Sequence, residues 1–114
     1  MMVLALLSLL LTPLPSLAET TAGQEVAFGI EVAQKGLWQE ARFRFEKAAR
    51  LDPQNASALN NLAVALEQMG EFDRAREAYE KALALKPGDI YIQQNYDLFH
   101  EADDKRRRKS RSRK

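Results

Sequence analysis

The one histidine of this 114-residue chain, His100, stands close to three carboxylates, Glu101, Asp103 and Asp104, and nowhere else do residue types with chemical capability gather so tightly. A metal site needs several ligands converging on one point. On a helix, adjacent residues such as Asp103 and Asp104 point about 100° apart, so they share no site. A surface histidine among solvated charges accounts for the group. The chain has no cysteine, which excludes a disulfide framework, a thiolate metal site and a cysteine nucleophile. Pro87 and Gly88 form a turn with no strand before it and no phosphate cradle after it. These residues predict no enzyme, no metal and no cofactor.

Charge is the other chemical resource, and it is unevenly spread. Seventeen basic residues nearly balance sixteen acidic ones over the whole chain. Residues 105–114, KRRRKSRSRK, hold eight of the basic ones: Lys105, Arg106, Arg107, Arg108, Lys109, Arg111, Arg113 and Lys114. The rest of the chain is therefore acidic by about seven charges, and the expectation is an acidic body followed by a disordered basic tail. Such a tail binds anionic surfaces with low specificity. Anionic lipid headgroups or an anionic envelope polymer fit an exported chain; nucleic acid, bound with strong salt dependence, is the alternative for an intracellular one. No aromatic residue interrupts the run for base stacking. A merely solubilising tail is the plainer account.

The first eighteen residues, MMVLALLSLLLTPLPSLA, place an apolar run from Val3 to Leu11 before two prolines and the small residues Ser16 and Ala18. This is the layout of a signal peptide, with cleavage expected after Ala18 and a periplasmic or secreted product. It lacks a basic residue at its start. The alternative is an uncleaved membrane anchor, although Pro13 and Pro15 interrupt the segment before the roughly 20 residues that span a bilayer.

The segment from Thr20 to Asp104 alternates stretches at helical spacing with breaks at Gly36, Pro53 to Asn55, Gly70 and Pro87 to Asp89. Leu59, Leu62, Ala63 and Leu66 form one stripe, with Asn60, Asn61, Glu67 and Gln68 off it. No strand alternation competes, so the fold class is all-α. Asn55 and Asp89 are expected to cap the helices that follow them. Glu40 with Arg44, Glu46 with Arg50, and Glu77 with Lys81 stand four apart and mark solvent faces.

The helical stretches repeat. Gly36, Trp38, Ala41, Phe45, Ala48, Leu51 and Pro53 recur 34 residues later as Gly70, Phe72, Ala75, Tyr79, Ala82, Leu85 and Pro87, and Phe28, Gly29 and Val32 recur as Leu62, Ala63 and Leu66. Each unit is a helix pair. Small residues at Gly29, Ala63, Ala41 and Ala75 let backbones approach, Phe45 and Tyr79 fill the space between helices, and each proline ends the second helix.

On these residues the chain resembles the tetratricopeptide repeat family over Ala22 to about Asp104. The unit from Ala56 to Pro87 matches at Leu59, Leu62, Ala63, Leu66, Gly70, Ala75, Tyr79, Ala82 and Pro87. The unit from Ala22 to Pro53 departs at Glu25, where the family has a large residue; Glu25 is expected to face solvent. The resemblance implies a short α-solenoid with repeats at about 22–53 and 56–87. A capping helix at about 90–104 would follow, with Tyr96 and Phe99 covering Tyr79 and Leu83. It also implies a protein-interaction module whose first helices line a concave groove for a peptide or a partner helix. Carried over, the groove falls on Val26, Ala27 and Ile30, on Asn60, Asn61, Val64 and Glu67, and on Tyr91, Gln94 and Leu98. The Lys and Arg by which some members clamp a terminal carboxylate are missing there. Two and a half helix pairs are few for such an array, so dimer formation through an open end is a further expectation.

Overall fold

The computed structural model describes residues 19–114, and the signal-like segment 1–18 lies outside them. The described residues form five helices and no strand: α1 (Ala22–Gln34), α2 (Trp38–Leu51), α3 (Ala56–Gln68), α4 (Phe72–Leu85) and α5 (Ile90–Ser112). Their starts follow from short polar side chains. Thr21 and Gln24 form a reciprocal capping box at α1. Asn55 Oδ1 accepts from the Ala58 amide at 3.0 Å, and Asp89 Oδ1 accepts from those of Tyr91 and Ile92.

The turn inside each repeat has the same construction. Gly36 and Gly70 adopt φ of 76° and 77°, which a Cβ would disfavour. In each turn the glycine N–H donates to Ala33 or Glu67, and the next residue donates across it to Val32 or Leu66. This six-to-one closure satisfies the last carbonyls of α1 and α3 and reverses the chain within three residues.

Packing explains the small residues. An ideal Cβ on Gly29 would lie 2.8 Å from Phe45 Cδ1, so only glycine lets the Phe45 ring lie against α1. Phe45, Tyr79 and Phe99 are each no more than 2% exposed. Burial of rings this size contributes roughly 2–3 kcal/mol each. Val32, Ala41 and Phe45 receive Leu62 of the next repeat. One repeat on, Leu66, Ala75 and Tyr79 receive Tyr96 and Phe99 of α5. Ring centroids of Tyr79 lie 6.1 Å from Tyr96 and 5.4 Å from Phe99. Thus α5 caps the array, while Leu83 packs lower down with Ala56, Ala82 and Ile92.

α1 packs beside α3 and α3 beside α5. The second helices meet only through side chains, as in the Arg74–Glu46 pair at 3.4 Å and the reach of Arg42 to Glu71 at 2.8 Å. First helices in contact and second helices splayed apart give the array a face lined by α1, α3 and α5.

Two expectations are corrected. Glu25 does not face solvent; it is 1% exposed. Its carboxylate accepts from Lys47 at 2.8 Å, from Arg44 at 3.4 Å and from the Thr20 hydroxyl, so its charge is compensated where it is buried. The last helix does not end near Asp104, and residues 105–112 are not disordered. Asp103, 6% exposed, pairs with Arg76 of α4 and with Arg106 and Arg107 one turn later. Arg106 lies 3.5 Å over the Phe72 ring, and Arg107 reaches Asp73 at 2.9 Å. Contacts to α4 hold the first turn of the basic run, and cations at a helix C-terminus suit its dipole.

Candidate partner groove

The repeat distance of 34 residues puts like side chains at like positions across the α1–α3–α5 face. Ile30, Val64 and Leu98 occupy one such position, and Ala27, Asn61 and Asn95 another. The first set is an aliphatic ladder. Ile30 is 39% exposed, Val64 is half-buried and Leu98 is 68% exposed. Between the first two rungs lies a cleft of about 180 Å³ lined by Ile30, Ala33, Gln34, Trp38, Phe45, Asn61 and Val64. Its lining is mostly apolar with two amides, Gln34 and Asn61, a composition suited to an aliphatic or aromatic side chain of a bound peptide.

The structure brings together part of the residues expected in the groove. Ala27, Ile30, Asn61, Val64 and Leu98 lie along this face, with Gln94 and Tyr91 exposed on α5. Val26 is drawn into the core, 8% exposed against Ala48 and Ala58. Glu67 accepts from the Tyr79 hydroxyl at 3.0 Å and so braces α4. Burial, and then the negative charge of Glu67, raise the Tyr79 pKa and keep its phenol a donor. Asn60 Oδ1 accepts from Asn95 Nδ2 at 3.3 Å, joining α3 to α5, and Asn61 Nδ2 donates to the Ser57 carbonyl at 2.8 Å. Asn60 Nδ2 and Asn61 Oδ1 have no hydrogen-bond partner among the described residues. They are the amide groups left to meet a peptide backbone.

Sequence reasoning passed over Ala33, Gln34 and Trp38, which line the cleft from the end of α1 and the start of α2. The signal was present: Trp38 directly follows the Gly36 turn, and that turn folds it back onto the ladder. Also missed were the buried carboxylates at the two ends of the array. For Asp103 the spacing to Arg106 and Arg107, three and four residues on, was the available cue. Burial opposes ionisation of Asp103, but Arg76 and Arg107 outweigh it and lower its pKa.

Ion pairing divides the eight cations of the C-terminal run. Lys105 bridges to Glu101 at 2.8 Å, and Arg106 and Arg107 are tied to Asp103 and Asp73. Arg108, Lys109, Arg111, Arg113 and Lys114 are exposed and have no acidic partner among the described residues. Of the expected surface pairs, Glu40–Arg44 forms at 3.0 Å, whereas Glu46 pairs with Arg42 and Arg74 instead of Arg50. His100 faces Asp104 at 3.5 Å with its side chain 55% exposed, and no group of metal-binding residues occurs among the described residues. No described helix is long and apolar enough to cross a membrane.

Comparison with known proteins agrees with this geometry. A family model described as tetratricopeptide repeat matches residues 26–90. An uncharacterised protein of Methanocaldococcus jannaschii is 38% identical over 58 residues, which cover 51% of this chain and 67% of that protein. Human protein O-mannosyl-transferase TMTC2 is 39% identical over 62 residues, 54% of this chain but only 7% of the transferase. Among solved structures, the crystal structure of MamA superposes with a TM-score of 0.68 and 32% identity, covering 75% of this chain and 50% of that one. The second repeat domain of human RPAP3, solved with the HSP70 peptide SGPTIEEVD, superposes with a TM-score of 0.67 at 19% identity, covering 70% and 67%. The 34-residue repeat, the paired glycine turns and the match over most of both repeats lead to one assignment: the chain belongs to the tetratricopeptide repeat family.

Proposed function

We propose that the chain is a non-enzymatic adaptor that takes a peptide or helix of a protein partner on the face lined by α1, α3 and α5. The ladder of Ile30, Val64 and Leu98 beside the Trp38 cleft carries this reading, because Ile30 and Leu98 are exposed at the same position of successive repeats and half-buried Val64 continues the apolar line between them. RPAP3 bound to an HSP70 peptide is a fold-level precedent for peptide binding by such a domain. Trp38 is the only tryptophan, so its emission reports occupancy of the cleft. Ile30→Ala with Val64→Ala is expected to weaken partner binding by roughly tenfold, about 1.4 kcal/mol, with helicity unchanged. Unaltered affinity and Trp38 emission on adding partner would remove the cleft from the reading.

We also propose export, supported by the layout of residues 1–18, with the tip cations Arg111, Arg113 and Lys114 drawn to anionic lipid headgroups or an envelope polymer. Mass spectrometry of the protein from its own cells is expected to give Glu19 as the first residue. An intact N-terminus in a soluble fraction would favour an intracellular protein whose basic end meets nucleic acid.

A further inference from the structure

Leu98, the last rung of the ladder, also belongs to a second register that runs along the exposed edge of α5 beyond the Trp38 cleft. Tyr91, Leu98, Lys105 and Ser112 recur at seven-residue intervals, and Arg108 and Lys109 flank the same stripe. At 1.5 Å per residue, Leu98 and Arg108 stand about 15 Å apart along the helix. One strip of α5 thus presents two large apolar side chains, Tyr91 and Leu98, among polar neighbours in its first half and a cluster of cations in its second. Tyr91 and Leu98 are 74% and 68% exposed. Val64, the counterpart of Leu98 one repeat earlier, is half-buried because α5 lies beside α3 and closes over it. Among the described residues no further helix lies beside α5 to do the same for Leu98.

We infer that this edge docks an amphipathic helix of another protein, in the place a further repeat helix would take, with its apolar stripe on Tyr91 and Leu98 and an acidic end on Lys105, Arg108 and Lys109. A spacing of two helical turns suits a helix rather than an extended chain. Charge fixes the partner's chemistry: Arg108 and Lys109 have no acidic partner among the described residues, and Lys105 is held only by an exposed pair with Glu101. A second copy of this chain is a poor occupant. Its N-terminal edge shows Phe28 and Phe43 under the Arg44 guanidinium, at 4.4 and 5.5 Å, and would set cation against cation. Docking here shares Leu98 with the ladder but uses none of the residues that line the Trp38 cleft, and it extends the proposed function.

The test uses the full chain against a phage-displayed library of helix-forming peptides with randomised surface positions, followed by anisotropy of the enriched peptides. Enrichment of Asp and Glu at one end of an apolar stripe is expected. Affinity should fall roughly tenfold with Arg108→Glu plus Lys109→Glu, and by as much with Leu98→Lys. Ile30→Ala with Val64→Ala should leave it unchanged, separating this edge from the cleft. All three variants change solvent-accessible side chains, and circular dichroism checks that they fold. Enriched peptides without acidic bias, or binding that survives Leu98→Lys and the charge reversal, would overturn the inference. A dimer in sedimentation equilibrium that Leu98→Lys abolishes would give the edge to a second copy and overturn it equally.

Discussion

Glu25 shows how a buried carboxylate can stand at a repeat position that is apolar one repeat later. Its counterpart one repeat later is Leu59, which packs with Ala56, Ala82 and Ile92. Here a carboxylate held by Lys47 and Arg44 takes the position, and Arg44 also covers Phe28. Hydrogen bonds from Lys47 and Thr20, working against the cost of burial, push the Glu25 pKa from an ordinary 4.5 down to about 2. A folded-state pKa below the unfolded value stabilises the fold above the unfolded value, and the contribution fades as pH falls through 4.5 toward 2. Glu25→Gln is therefore expected to lose about 1–2 kcal/mol at neutral pH, since both cations can return to water. The gap to the unsubstituted protein should close between pH 4.5 and 2. Denaturant melts across that range check it; a gap independent of pH would contradict the assignment. Glu25 could not be read correctly from sequence because its cationic partners lie on α2, and a charged residue where the family has a large one was assigned to solvent.

At the scale of elements, α5 decides whether the array is closed. Phe99 is fully buried against Tyr79, Ala75 and Leu66, and Asp103 locks the following turn to Arg76. Phe99→Ala is expected to destabilise the chain by about 3–5 kcal/mol. For a domain this small the melting temperature would drop by more than 10 °C. A loss under about 1 kcal/mol would mean that α5 does not cap the array. Helices α1 to α4 were legible within a residue or two, because glycine and proline punctuate them at the repeat distance. The end of α5 was not. A run of ten residues with eight cations reads as a solvated tail, and only the placement of Phe72, Asp73 and Asp103 across the α4–α5 interface holds its first turn in helix.

For the whole molecule, the repeat distance both builds the fold and aligns the candidate groove. The ladder of Ile30, Val64 and Leu98 was within reach of sequence because the 34-residue register carries one position to the next. Which neighbouring positions turn into the core was not, since Val26 and Ala27 differ only by the 100° step between them. Glu67 was claimed by Tyr79 for the same reason. Partner contact along the α1–α3–α5 face is the central claim. Its most direct test is site-specific photocrosslinking in the native cell, with a photoreactive residue placed at Val64 on that face and, as a comparison, at Lys81 on α4. Adducts from position 64 and none from position 81 are expected; adducts from position 81 alone would contradict the account.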